Sequence, residues 1–217
     1  MTHSEENYIK VIYHLSAVSP KGINTNAIAG MIESKASSVT DMIKKLADKE
    51  LVFYQKYQGV TLTKKGLDAA KMIVRKHRLW EVFLVEKLDF NWDEVHELAE
   101  ELEHIQSEKL INRLDEFLGF PKEDPHGDPI PDKNGQMIKI DKQLLSEIPM
   151  QTRVICLGVK DSSPTFLQYL DKQKIALGSM IEVINKEQFD LSLTIRIIDK
   201  EFLISQKIAN NLYVKIV

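Results

Sequence analysis

Between residues 5 and 17 the apolar side chains Tyr8, Ile9, Ile12, Tyr13 and Leu15 recur at helical spacing, and the Ser-Pro-Lys-Gly stretch at 19–22 breaks the pattern. Asn24-Thr25-Asn26 supplies N-cap residues for a short helix through Met31 that turns Ile28 and Ala29 inward. A third helix follows Ser34-Lys35-Ala36-Ser37-Ser38, with Val39, Met42, Ile43 and Leu46 at i, i+3, i+4 and i+7. After Lys49-Glu50 the period changes to that of a strand: Leu51-Val52-Phe53-Tyr54, a turn around Gln58-Gly59, then Val60-Thr61-Leu62. Helix, helix–turn–helix and hairpin in that order predict a winged helix-turn-helix over residues 1–66, in which a short helix enters a major groove. The same order also suits a small α+β module that binds another protein.

Thr63-Lys64-Lys65-Gly66 opens a long helix to about Leu88, the first part of a helical region over 67–119. The Pro/Gly/Asp-rich stretch Pro121–Gly135 reads as an extended linker. Beyond residue 146 the chain turns to short strands at 152–157, 180–184, 191–198, 202–204 and 212–217, interrupted by one helix at 165–171, a pattern that predicts a small SH3-like barrel. The expected fold is therefore mainly α with small β parts: residues 1–66 a winged helix-turn-helix, 67–145 a helical domain with its linker at 121–145, and 146–217 an SH3-like β-barrel.

Charge is segregated along this framework. Net charge is -3 over 217 residues, yet residues 1–76 carry 12 basic and 7 acidic side chains, and residues 77–120 carry 4 and 12. A basic module beside an acidic one suggests polyanion contact by the first and cation binding by the second; two differently solvated surfaces would give the same arithmetic. With 43% apolar residues, 28% charged residues and a single cysteine, Cys156, composition points to a globular chain in a reducing compartment. The first residues lack a signal-peptide pattern and no apolar run approaches the ~20 residues of a membrane span, so the expected location is the cytoplasm.

The acidic region holds the candidate chemistry. His77 and Glu81 are four residues apart on one helix, and His96, Glu100, Glu103 and His104 follow at i, i+4, i+7 and i+8, the spacing of one helical face. Imidazoles and carboxylates packed together need a compensating positive charge, which a divalent metal supplies. Oxygen and nitrogen donors without thiolate favour Mn(II) or Fe(II), with Zn(II) or Co(II) able to use the same set in vitro. A metalloenzyme activating water would also use such donors. The sequence contains no HExxH, nucleophile elbow or glycine-rich phosphate loop.

Six stretches together resemble the metal-dependent repressors of the diphtheria-toxin-repressor and manganese-transport-regulator family. They are Glu6-Asn7-Tyr8-Ile9-Lys10-Val11-Ile12-Tyr13, Ser37-Ser38-Val39-Thr40, Leu62-Thr63-Lys64-Lys65-Gly66, Arg75-Lys76-His77-Arg78-Leu79-Trp80-Glu81, Glu100-Glu101-Leu102-Glu103-His104 and His126-Gly127-Asp128-Pro129-Ile130-Pro131. Residues 146–217 look like the FeoA/SH3-like tail of longer members. The resemblance implies a primary metal site at Asn7, Glu100, Glu103 and His104 and an ancillary one at His77, Glu81 and His96. Asp124, His126 and Asp161 correspond to linker and tail ligands of some long members. Asn7 stands where relatives carry Asp or Met, Lys10 where manganese-type members carry a second carboxylate, and Glu100 where iron-type members carry Cys. These departures disfavour a tight binuclear centre and lean toward Mn(II) over Fe(II).

The implied function is that of a metal-activated, DNA-binding transcriptional repressor controlling Mn(II) or Fe(II) homeostasis, with no membrane partner. By family precedent it is a homodimer on a palindromic operator. Ser37, Ser38 and Thr40 are placed to meet base edges or phosphates, Lys44 and Lys45 to meet phosphates, with Lys35 and Lys56 flanking them. Val74, Leu79, Trp80 and Phe83 are candidates for the dimer seam. The alternatives are a metalloenzyme and a metal-independent DNA or protein adaptor.

Overall fold

The computed structural model describes residues 1–55 and 58–217. They form two compact units, one comprising Met1–His77, Glu100–Arg113 and Pro131–Gln136, the other Arg78–Ala99, Leu114–Ile130 and Met137–Val217.

The first unit contains α1 (His3–Ser16), α2 (Thr25–Ile32), α3 (Ala36–Asp48), β1 (Val52–Gln55) and β2 (Gly59–Leu62). The 25-residue helix α4 (Lys64–Leu88) starts in this unit and continues into the other. Asn24 caps α2 by accepting from the Asn26 N–H, and Glu33 ends it in the left-handed region at φ 53°. The hairpin β1–β2 pairs Val52 with Leu62 and Gln55 with Gly59. Ile9 and Ile12 of α1, Ile28 of α2, Val39, Ile43 and Leu46 of α3, Val60 of β2 and Ile73 of α4 share one core. Each such aliphatic side chain contributes roughly 1.5–3 kcal/mol through burial.

A buried carboxylate also ties α1 to α3. Glu5 closes a capping box with Thr2 and accepts from Lys49 Nζ at 2.7 and 2.9 Å, with Lys45 Nζ 3.0 Å away. The Lys49 hydrogen bond, opposed by burial and aided by the Thr2 N–H and Lys45, holds the Glu5 carboxyl down at about 2. A folded-state value below the unfolded one stabilises the protein above the ordinary carboxylate range, and that gain is lost as pH falls toward about 2. The stability gap between wild type and Glu5→Gln, measured by urea unfolding, is therefore expected to narrow between pH 5 and pH 2. A constant gap would show that the ion pair contributes nothing.

The second unit holds the distal half of α4, most of α5 (Val95–Leu102), the end of α6 (Glu108–Phe117) and the carboxy-terminal β-structure. The strands are β3 (Gln143–Leu144), β4 (Thr152–Val159), β5 (Met180–Lys186), β6 (Leu193–Ile197), β7 (Lys200–Ile204) and β8 (Leu212–Ile216), with α7 (Pro164–Gln173) and α8 (Gln206–Ala209) between them. They make an antiparallel sheet of order β3-β8-β4-β5-β6-β7, and Val154, Cys156, Ile181, Val183, Leu193, Ile195 and Val214 pack with Leu167 and Leu170 of α7. Among the described residues this sheet is open, with β3 and β7 at its edges, yet compatible with the SH3-like expectation.

Residues 121–130 of the stretch read as an extended linker are instead folded against β4. Asp124, His126, Gly127 and Ile130 are buried, Glu123 bridges Pro129, and the Val159 N–H donates to the His126 carbonyl at 2.9 Å. The register between β4 and β8 shifts between Cys156 and Gly158, where the loop docks: a Cβ on Gly158 would meet the His126 carbonyl oxygen at 2.9 Å. Val74, Leu79 and Trp80, considered for a subunit seam, are buried within the chain at 2%, 0% and 9% exposure. Phe83 is half-buried beside Trp80 and Phe117, whereas Phe117 and Phe120 are exposed.

Candidate metal centre and nucleic-acid interface

In the first unit, Glu6 and Lys10 lie one turn apart on α1, and both are buried. Helix α5 ends at Leu102, so Glu103 and His104 lie in the following turn rather than on the helical face that spacing predicted. That turn sends them to α1. His104 Nδ1 is 2.6 Å from Glu6 Oε2, Gln106 donates to Glu6 Oε1 at 2.8 Å, and Lys10 Nζ reaches Glu103 Oε1 at 2.7 Å and Oε2 at 2.9 Å. Glu100 Oε1 also accepts from Lys10 Nζ, at 3.1 Å. His77 Nδ1 lies 2.7 Å from Glu103 Oε2, so a residue assigned to the ancillary set contacts the primary one. Burial alone would raise the Glu103 carboxyl, but His77 and Lys10 outweigh it and hold it below the usual range. Asn7 is exposed, and the adjacent Glu6 is the α1 oxygen donor that meets His104.

In the second unit, Glu81, Asp124 and His126 are all buried and offer ligand atoms within 4.8 Å of one another. His96, half exposed on α5, places Nδ1 3.4 Å from Glu81 Oε1. His126 Nε2 lies 2.8 Å from the Trp92 carbonyl, which accepts only if that nitrogen carries the proton; Nδ1 then faces Glu81 at 3.7 Å. This is the orientation in which a backbone carbonyl fixes a ligating tautomer. Burial and the neighbouring Glu81 charge push the Asp124 carboxyl up, against the pull of Arg78. Burial lowers His126, but Glu81 and Asp124 reverse this and raise it to about 9. Without an ion the two carboxylates are balanced by Arg78, 3.3 Å from Asp124, and by the His126 proton. A divalent cation would have to displace that proton, after which His126 Nδ1 and the two buried carboxylates form a donor set that suits it. Asp161 is half-buried and accepts from the Ser163 N–H at the start of α7.

The candidate reading surface lies on α3. Lys35, Ser37, Ser38, Lys44 and Lys45 are exposed, while Val39, Ile43 and Leu46 of the same segment are buried. The half-buried Thr40 donates its hydroxyl proton to the Ala36 carbonyl at 2.9 Å. Lys44 pairs with Asp41 at 3.4 Å and Lys45 with Glu5 at 3.0 Å, so part of their charge is already compensated. Lys56 lies outside the described residues.

Two contributors escape sequence reasoning. Glu6 carries no metal-ligand spacing of its own, yet its i+4 relation to Lys10 places the two charges on one face of α1. Arg78, which bonds the Pro129 carbonyl and approaches Asp124 and Asp128, sits beside His77 with no spacing signal of its own.

Helix–turn–helix and wing on a basic segment, followed by helices and a folded loop gathering buried carboxylates and imidazoles, define a metal-responsive DNA-binding regulator. Residues 1–60 match the family model described as the iron dependent repressor N-terminal DNA binding domain, residues 63–132 its metal binding and dimerisation domain, and residues 143–216 the FeoA domain. The chain is 38% identical over 118 residues to an uncharacterized HTH-type transcriptional regulator of Methanocaldococcus jannaschii, covering 54% of this chain and 94% of that one. It is 36% identical over 124 residues to the HTH-type transcriptional regulator MntR of Oceanobacillus iheyensis, covering 57% and 82%. A solved manganese-dependent transcriptional repressor in complex with manganese superposes with a TM-score of 0.85 at 33% identity, over 98% of this chain and all of that one. The chain belongs to the metal-dependent transcriptional repressors of the diphtheria-toxin-repressor and manganese-transport-regulator family, with a FeoA domain at its carboxy end. It is a transcriptional regulator and not an enzyme, which removes the metalloenzyme alternative. Among the described residues no helix is long and apolar enough to cross a membrane.

Proposed function

We propose that this repressor is activated by Mn(II) in preference to Fe(II), and that it binds a palindromic operator as a homodimer. The observation that carries the reading is the cluster in which Glu6 of α1 meets His104 while Glu103 and Glu100 stand around Lys10, joining the DNA-reading module to the turn after α5. All its donors are oxygen or nitrogen; the sole cysteine is buried in the tail sheet, its thiol pushed up to about 11 by burial. Without a soft ligand, hard-to-borderline ions are preferred.

A metal in this first set, held by Glu100, Glu103 and His104 with Asn7 or Glu6 from α1, stabilises one placement of the reading helix. A second ion belongs with His77, Glu81 and His96, supported by Asp124 and His126; Asp161, engaged at α7, is the outermost candidate. Exposed Phe117 and Phe120 are better seam candidates than buried Leu79 and Trp80. Two α3 helices about one DNA turn apart, ~34 Å, would then read the half-sites. Moving a two-state protein from 1:99 to 99:1 needs about 5.5 kcal/mol of differential affinity, and linkage requires DNA to tighten metal binding in return.

The test uses a duplex selected from random-sequence DNA by the Mn(II)-loaded protein, its affinity titrated anaerobically with Mn(II), Fe(II) and Zn(II). Affinity is expected to rise at lower Mn(II) than Fe(II); affinity indifferent to all three ions overturns the reading. On the same duplex, Lys44→Ala is expected to weaken binding on any sequence and to reduce the salt slope by about 0.9. An unchanged slope in a binding titration across salt concentrations would remove Lys44 from the phosphate contacts.

A further inference from the structure

A buried positive charge in the first unit belongs to a residue with no ligand atom for a metal. Lys10 is 8% exposed, and its Nζ stands 2.7 and 2.9 Å from the two oxygens of Glu103 and 3.1 Å from Glu100 Oε1. An ammonium has three donors and no acceptor; here it donates to Glu100 Oε1 and Glu103 Oε2, with Glu103 Oε1 in ion-pair contact. Glu103 is fully buried, and a carboxylate in that position requires a positive partner. Lys10 therefore occupies, by charge and position, the place that a bound cation would take between these two acids.

We propose that the Lys10 ammonium is a built-in counter-cation of the Glu100–Glu103 pair, which an entering divalent ion must displace, so that Lys10 weakens this site for metal and confines it to one ion. The inference rests on the metal reading above and assigns a specific residue to its threshold. An ammonium and a divalent cation sharing the same oxygens repel at short range, and the low dielectric around Glu103 strengthens that repulsion. The four-carbon stem lets the head move without unwinding α1. Metal entry is thus an exchange of one cation for another, and the site stays compact and neutralised before the ion arrives.

The experiment compares wild type, Lys10→Met, Lys10→Arg and Glu103→Gln in full-length protein, with Mn(II) binding followed by calorimetry and stability by thermal melting in chelator. Lys10→Met removes the competing charge and keeps the stem, so Mn(II) affinity at the Glu103-dependent site is expected to rise by about tenfold or more while the metal-free protein melts lower. Lys10→Arg keeps the charge and is expected to stay near wild type in affinity. If Lys10→Met binds Mn(II) no more tightly than wild type while Glu103→Gln still weakens binding, the counter-cation role is overturned and the metal site stands. If neither Glu103→Gln nor Lys10→Met alters Mn(II) binding, the metal reading of this cluster fails and the Lys10 proposal fails with it.

Discussion

Glu103→Gln is expected to lower Mn(II) affinity by at least about 100-fold and to abolish metal-stimulated operator binding, because the change removes the charged donor at the centre of the cluster. The metal-free protein should suffer as well. Glu103 is fully buried and engages Lys10 and His77. The amide keeps the volume but leaves the Lys10 ammonium facing only the half-exposed Glu100 carboxylate. Removing one partner of a buried ion pair costs about 3 kcal/mol or more, the larger part being the penalty on the charge left behind. Calorimetric Mn(II) titration and urea unfolding in chelator read the two effects separately. Wild-type Mn(II) affinity in the variant would show that the ion sits elsewhere, and wild-type stability would show that Lys10 is adequately paired by Glu100 alone.

Gly127→Ala is expected to destabilise the second unit by about 3–5 kcal/mol, combining left-handed backbone strain with steric overlap. Gly127 has φ +82°, and a Cβ there would lie 2.0 Å from the Leu157 carbonyl oxygen, with backbone rather than a flexible side chain in the way. Asp124 Oδ1 accepts from the His126 and Asp128 N–H groups at 2.8 and 3.0 Å, and the His126 carbonyl is held by Val159. The loop cannot retreat from β4 without giving up these bonds. Retreat would also carry His126 away from Glu81, so metal at the second set should weaken together with stability. Urea unfolding followed by tryptophan fluorescence, with Trp92 stacked on His126, reports the loss of stability, and the smaller midpoint shift on adding Mn(II) reports the weakened metal binding. An unchanged midpoint would mean that the loop is not rigidly docked.

The two variants probe different levels of the same protein. Glu103 tests whether buried charge is there for a cation. Gly127 tests whether the loop carrying Asp124 and His126 belongs to the folded unit or merely passes over it. The separation matters because the loop's composition, rich in proline, glycine and aspartate, reads as an unstructured connection. What reverses that reading is a set of long-range contacts to β4 and Arg78 that no local rule reports.

The amino-acid sequence alone determined the helices of the reading module, its hairpin, the long α4 and the β texture of the tail, because each follows from the period of neighbouring apolar residues and from caps such as Asn24. It also determined the donor chemistry, since oxygen and nitrogen ligands with one remote cysteine can be counted without coordinates. Tertiary structure decided which donors meet. It stopped α5 one residue before Glu103, turned Glu6 rather than Asn7 toward His104, joined His77 to Glu103, set Lys10 between two acids, and buried Asp124 and His126 beside Glu81. Those outcomes depend on where a helix ends and on contacts between residues distant in the chain, from 26 positions apart for His77 with Glu103 to 98 for Glu6 with His104. Helical periodicity constrains only neighbours within a few turns, so packing had to choose among the faces that the sequence offered.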